Sequence, residues 1–159
     1  MMKNSTTTAR AKVFLSFAGV DHAHARRLGS FLSMAGAEVF TTETLSAAED
    51  WLSIVRQEIA KCDAFAVVLT PNAVKSNFVL VELGAAWAMG KPIIAVVTAP
   101  GLVSEIPVEL DPRNVVEMDD VDLPRLLDRI LSRSIGRAAR TQEGGKRTRK
   151  TVLKSKQNV

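Results

Sequence analysis

Residues Ala64 to Val97 read AFAVVLTPNAVKSNFVLVELGAAWAMGKPIIAVV. Ala64 to Thr70 is an unbroken apolar run of strand length, and Pro71 and Asn72 open a loop. A helix is expected from about Ser76 to Met89, closed by Gly90 and barred from continuing by Pro92. Pro92 to Thr98 is a second unbroken apolar run. Strands with no polar face must be covered on both sides, and two of them separated by a helix become parallel strands of one sheet.

The same alternation extends outward. Lys12 to Phe17 (KVFLSF) is a first strand, and Asp21 reads as the cap of a helix with Ala25, Leu28, Phe31, Leu32 and Ala35 at helical spacing, ended by Gly36. Ala37 to Thr41 is a second strand, Thr42 to Glu49 a polar loop, and Asp50 to Lys61 a helix with Trp51, Ile54, Val55, Glu58 and Ile59 on its periodic positions. Val115 to Met118 is a short fifth strand, and Asp122 to Ile135 a last helix with Leu123, Leu126, Leu127, Ile130 and Leu131 as its stripe. Five strands in this order indicate an α/β, flavodoxin-like three-layer sandwich with a parallel sheet of order 2-1-3-4-5. Its crevice then lies at the carboxyl ends of strands one and three, bordered by the loops after Phe17, Thr41 and Thr70.

With 159 residues, 47% apolar and 24% charged, the chain has room for one globular domain. That domain is expected over residues 11–136, between a disordered start (1–10) and a disordered basic tail (137–159). The net charge of +4 and the pI near 9.5 come from the tail, which carries +7 against −3 for residues 1–136. Basicity so placed offers nucleic acid only weak, salt-sensitive and nonspecific attraction. No apolar run approaches the roughly 20 residues of a membrane span, and the N-terminus lacks a hydrophobic signal core, so a cytoplasmic protein without membrane contact is expected. One cysteine and two histidines exclude a disulfide framework and a Cys/His zinc cage. Cys62 reads as a small buried hydrophobe, and His22 and His24 as solvated. No metal site is assigned.

Common motifs of nucleotide and acyl chemistry are missing. No G-x-G-x-x-G follows the first strand, GAAWAMGK (Gly84 to Lys91) has Walker A spacing wrong by one residue and no Ser/Thr after its Lys, and there is no G-x-S-x-G elbow. What stands out is Glu82, the one acid in a helix that is apolar nearly all round. A lone carboxylate in such surroundings is desolvated, its pKa rises, and stability is a poor reason for its presence. Phe78 precedes it by four residues, which places ring and carboxylate on one face of the helix.

From about Ala11 to Met118 the chain resembles a bacterial-type Toll/interleukin-1 receptor (TIR) domain. The resemblance rests on VFLSF followed by Asp21, on EVFTTETLSAAEDW, on AFAVVLTPNAVKSNFV and on ELGAAWAMGKPIIAVV, in that order and spacing. It implies an enzyme that cleaves NAD+ to nicotinamide and linear or cyclic ADP-ribose, with Glu82 as the catalytic glutamate and NAD+ as substrate rather than cofactor. It also implies activation by self-association, a setting in signalling or antiphage defence, and a separate sensor or effector partner. Phe78 stands where many relatives have the Trp of W-x-x-x-E, and Glu43 with Ala47-Ala48 stands where the family has Asp and Gly.

Nicotinamide leaves as a neutral amide, so one carboxylate that holds ribose hydroxyls and stabilises oxocarbenium-like charge is enough. A glycosidase, whose leaving group is an alkoxide, needs two. Under the resemblance Ser16 and Phe17 line the substrate site. Phe78 is either a stacking ring or a core aromatic, and Trp51 reads as core while also opening a helix beside the crevice. Two other functions are compatible with the sequence: a non-catalytic adaptor binding other TIR domains through Thr42 to Glu49, and a nucleoside 2-deoxyribosyltransferase-like enzyme, which ELGAAWAMGKP also resembles.

Overall fold

The computed structural model describes residues 10–44, 50–133 and 136. The expectations for the two ends, Arg10 apart, and for Ala47-Ala48 lie outside the described residues. The strands are β1 (Lys12–Ser16), β2 (Glu38–Phe40), β3 (Ala64–Leu69), β4 (Ile93–Val97) and β5 (Val115–Glu117). The helices are α1 (His22–Met34), α2 (Trp51–Lys61), α3 (Asn77–Ala88) and α4 (residues 123–133).

The five strands form one parallel sheet of order β2-β1-β3-β4-β5, as the sequence pattern requires. Phe14 pairs with Phe65 and Ser16 with Val67, which sets β1 beside β3 in register. Side chains alternate across the sheet, so successive residues of one strand feed two cores. Phe14, Phe65, Val67, Leu69, Ala95 and Val97 face α2 and α3, packing on Val55, Ile59, Val79 and Leu83. Val13, Leu15, Ala66, Val68, Ile94 and Val96 face α1 and α4, packing on Leu28, Leu32, Leu123 and Leu127. All six residues of β3 are buried. Each large side chain buried this way contributes about 1.5–3 kcal/mol of transfer free energy, and that double coverage explains why β3 and β4 contain no polar residue. The two edge strands, β2 and β5, are three residues long and only partly buried.

Helix ends follow local chemistry in most places. Ser76 is the N-cap of α3, its Oγ accepting from the Val79 N–H at 3.4 Å. Gly90, at φ 65°, closes that helix through bonds from its own N–H to the Trp87 carbonyl and from the Lys91 N–H to Ala86. Lys91 Nζ then reaches back across the fold to the carbonyls of Ala60 (2.6 Å) and Cys62 (2.8 Å), satisfying the last turn of α2. Cys62 is buried as expected, its thiol donating to the Ile59 carbonyl, and burial pushes its pKa up.

The helix start at Asp21 differs from expectation. Asp21 occupies the N-cap position of α1 but makes no side-chain capping bond. Its carboxylate is buried and directed at the loop after β3. No described helix is long and apolar enough to cross a membrane.

Candidate active site at the carboxyl edge of the sheet

In a 2-1-3 order the chain leaves β1 toward one side of the sheet and leaves β3 toward the other, and folds of this kind bind their ligands at the carboxyl ends of those two strands. Ser16, the last residue of β1, points to the α2/α3 side. Glu82, on the second turn of α3, meets it there: Ser16 Oγ donates to Glu82 Oε2 at 2.5 Å. Glu82 is only 3% exposed and Ser16 1%. The burial expected from its apolar neighbours is observed, because its turn of α3 presents Val79, Leu83 and Ala86 to the same core.

Burial pushes the Glu82 carboxyl up to about 7, and the Ser16 hydroxyl, by donating to the ionised form, holds it below where burial alone would take it. Near neutral pH the group is therefore poised between its two states. Ser16 occupies Oε2 and leaves Oε1 without a hydrogen bond among the described residues. No fully buried side-chain polar atom there lacks a partner, so Oε1 keeps contact with the surface.

A second polar group, centred on Asp21, lies at the same strand ends. Asp21 Oδ2 accepts from Thr70 Oγ1 at 2.5 Å, and Oδ1 accepts from Asn72 Nδ2 at 3.2 Å. Thr70 Oγ1 accepts in turn from the backbone N–H of Asn72 and of Ala73. Asp21 is thus not a helix cap but a buried tie between the loop after β1 and the loop after β3. Its partners outcompete the helix N–H groups because they satisfy both carboxylate oxygens away from water. Two polar residues, Thr70 and Asn72, directly after an all-apolar strand were the available signal.

The other expected site residues are brought partly together. Phe17 follows β1 half-buried, its ring edge against His22 at 5.7 Å between centroids. His22 is exposed and pairs with Glu43 of the loop after β2, so it is solvated but not free; His24, expected to be solvated, is half-buried. Phe78 is not a core aromatic: it is 64% exposed, whereas Glu82 one turn on faces inward. Four residues advance a helix by about 40° beyond a full turn, which carries Phe78 from the buried face to its border. Its ring meets Trp51 edge to face, centroids 4.9 Å apart at 82°. Trp51, half-buried at the start of α2, thereby joins the same side of the crevice as Phe78.

The chain is a doubly wound α/β domain with two buried carboxylates, Glu82 and Asp21, at its switch point. A family model described as TIR domain matches residues 13–131. The chain belongs to the TIR domain family. Among solved structures it is similar to the TIR domain of the Toll-related receptor TRR-2 from Hydra magnipapillata, with 19% identity, 77% of this chain and 96% of that one covered, and a TM-score of 0.57. It is also similar to diflavin flavoprotein A3 from Nostoc sp., with 12% identity, coverage of 82% and 99%, and a TM-score of 0.53. A CMP N-glycosidase of Clostridium botulinum shares 24% identity over 72% of this chain and 94% of its own, with a TM-score of 0.47. At these identities the likeness to the first two is one of fold. No curated protein matches the sequence.

Proposed function

We propose that this TIR domain cleaves the glycosidic bond of NAD+. The observation that carries the proposal is Glu82, a carboxylate buried at the switch point with one oxygen held by Ser16 and a pKa of about 7. Substrate enters with the nicotinamide ribose over Oε1, which accepts from a ribose hydroxyl. The C1′–N bond breaks with its electron pair going to nicotinamide, which departs neutral, and the ionised carboxylate stabilises the positive charge on the sugar. Water adds at C1′ and releases a proton, giving ADP-ribose; an adenine nitrogen adding in its place gives the cyclic product. Phe78 and Trp51 supply apolar ring surface for the departing base, Phe17 lies at the strand end, and Ser16 stands behind Glu82 out of reach of the substrate. No cofactor takes part.

Self-association belongs to the same reading. α3 leaves Phe78 64% and Val81 53% exposed one turn apart, apolar surface that a second domain can cover. The same observation favours the alternative, an adaptor that binds other TIR domains and needs no chemistry. The test is nicotinamide release from NAD+ by concentrated protein, wild type against Glu82→Gln. Release by the wild type that is lost in the variant is expected. Release that survives the substitution removes Glu82 from the mechanism, and no release alongside measurable self-association favours the adaptor.

A further inference from the structure

We infer that Ser16 is a positioning residue for Glu82: its hydroxyl, delivered from the end of β1, fixes one carboxylate oxygen and so leaves the other as the one a substrate meets. For its effect on turnover this rests on the NAD+ reading; for its effect on Glu82 it rests on geometry alone.

The hydroxyl is 2.5 Å from Oε2, and both groups are buried. α3 carries no other titratable residue. The elements packed around it bring Lys12 on β1, Asp21 after β1, Asp50, Arg56, Glu58 and Lys61 on or at α2, and Lys75 in the turn before α3. None of them displaces the carboxyl, which responds to burial upward and to Ser16 downward. Ser16 is therefore the one described group that favours the anion. It is also placed where a ligand cannot replace it, at the buried end of the carboxylate. In that position it fixes the side-chain torsions, because a strand end shifts less than a loop. A second carboxylate or a lysine at Ser16 would couple Glu82 to another titration, whereas a hydroxyl gives a donor without a charge of its own.

The experiment uses the full chain labelled with 13C at glutamate carboxyls. The Glu82 signal is identified by its loss in Glu82→Gln, and its titration is followed in wild type, Ser16→Ala and Ser16→Cys. Cysteine fills the serine volume but donates weakly, so it separates the hydrogen bond from packing and stands in if the alanine variant does not fold. The wild-type midpoint is expected at about 7. Loss of a hydrogen bond to a charged group should raise it by about one to two pH units in both variants. A midpoint unmoved in both, or moved in Ser16→Ala alone, overturns the inference.

Nicotinamide release at pH 7 should then fall about five- to fifty-fold in both variants, following the smaller ionised fraction, and recover toward pH 9. A midpoint that rises in both variants of a protein whose wild type releases no nicotinamide supports the role of Ser16 and refutes the NAD+ reading alone.

Discussion

Replacing Glu82 by Gln should make the protein more stable at neutral pH and abolish part of its pH dependence. Burial moves the carboxyl from 4.5 to about 7 on folding. Each pH unit of that displacement is worth about 1.4 kcal/mol, so the folded state loses about 3 kcal/mol as Glu82 is forced to ionise. The native chain holds a proton between these two values that the unfolded chain has already released. Stability from this group is therefore complete below pH 4.5, declines as pH rises, and levels off above about 7. Gln has the same shape, its amide oxygen still accepts from Ser16, and it does not titrate. Urea unfolding of both proteins at pH 4.5, 6 and 8 gives the comparison. The stability of wild type minus that of Glu82→Gln should fall by about 3 kcal/mol across the series. Exposed carboxyls such as Asp111, held down to about 2 by the Arg113 guanidinium, act equally on both proteins and cancel in the difference. Parallel pH dependences in the two proteins would refute the assignment of Glu82 as a buried, desolvated acid.

Two further substitutions probe the crevice walls. Asp21→Ala strands the Thr70 hydroxyl and the Asn72 amide, and should cost about 2 kcal/mol in denaturant unfolding, against a smaller loss for Asp21→Asn, whose amide oxygen still accepts; equal losses would argue against the tie. Phe78→Ala removes a ring that is 64% exposed, so it should cost under about 1.5 kcal/mol and shift Trp51 fluorescence, while under the NAD+ reading it slows nicotinamide release. An unchanged rate takes Phe78 out of the site.

The fold was legible because the sequence marks its strands twice, by apolar continuity and by the helical spacing between them. Residues 64–69 and 93–97 contain nothing polar, and the helix between them stops at a glycine followed closely by proline. Glu82 was legible for the converse reason, as one acid where every neighbour is apolar. Its partner was not, since Ser16 lies 66 positions earlier and only the pairing of β1 with β3 delivers it. Asp21 illustrates the opposite error: a rule about nearest neighbours pointed to the helix that follows it, while its hydrogen bonds run to residues 49 and 51 positions away. The meeting of Trp51 with Phe78 was hidden in the same way, because it depends on how α2 and α3 cross. Pairwise contacts at long separation are decided by topology, and periodicity carries no information about them.

The three-residue edge strands have a bearing on assembly. Each free margin of the sheet offers only a few unpaired backbone groups, too short a template for another chain to join by hydrogen-bonded strand addition. Short margins of this kind disfavour growth as one continuous sheet. Self-association through side chains on helices and loops is the mode they leave open, and that kind of contact dissociates when a single face is altered, where a cross-β fibril would not.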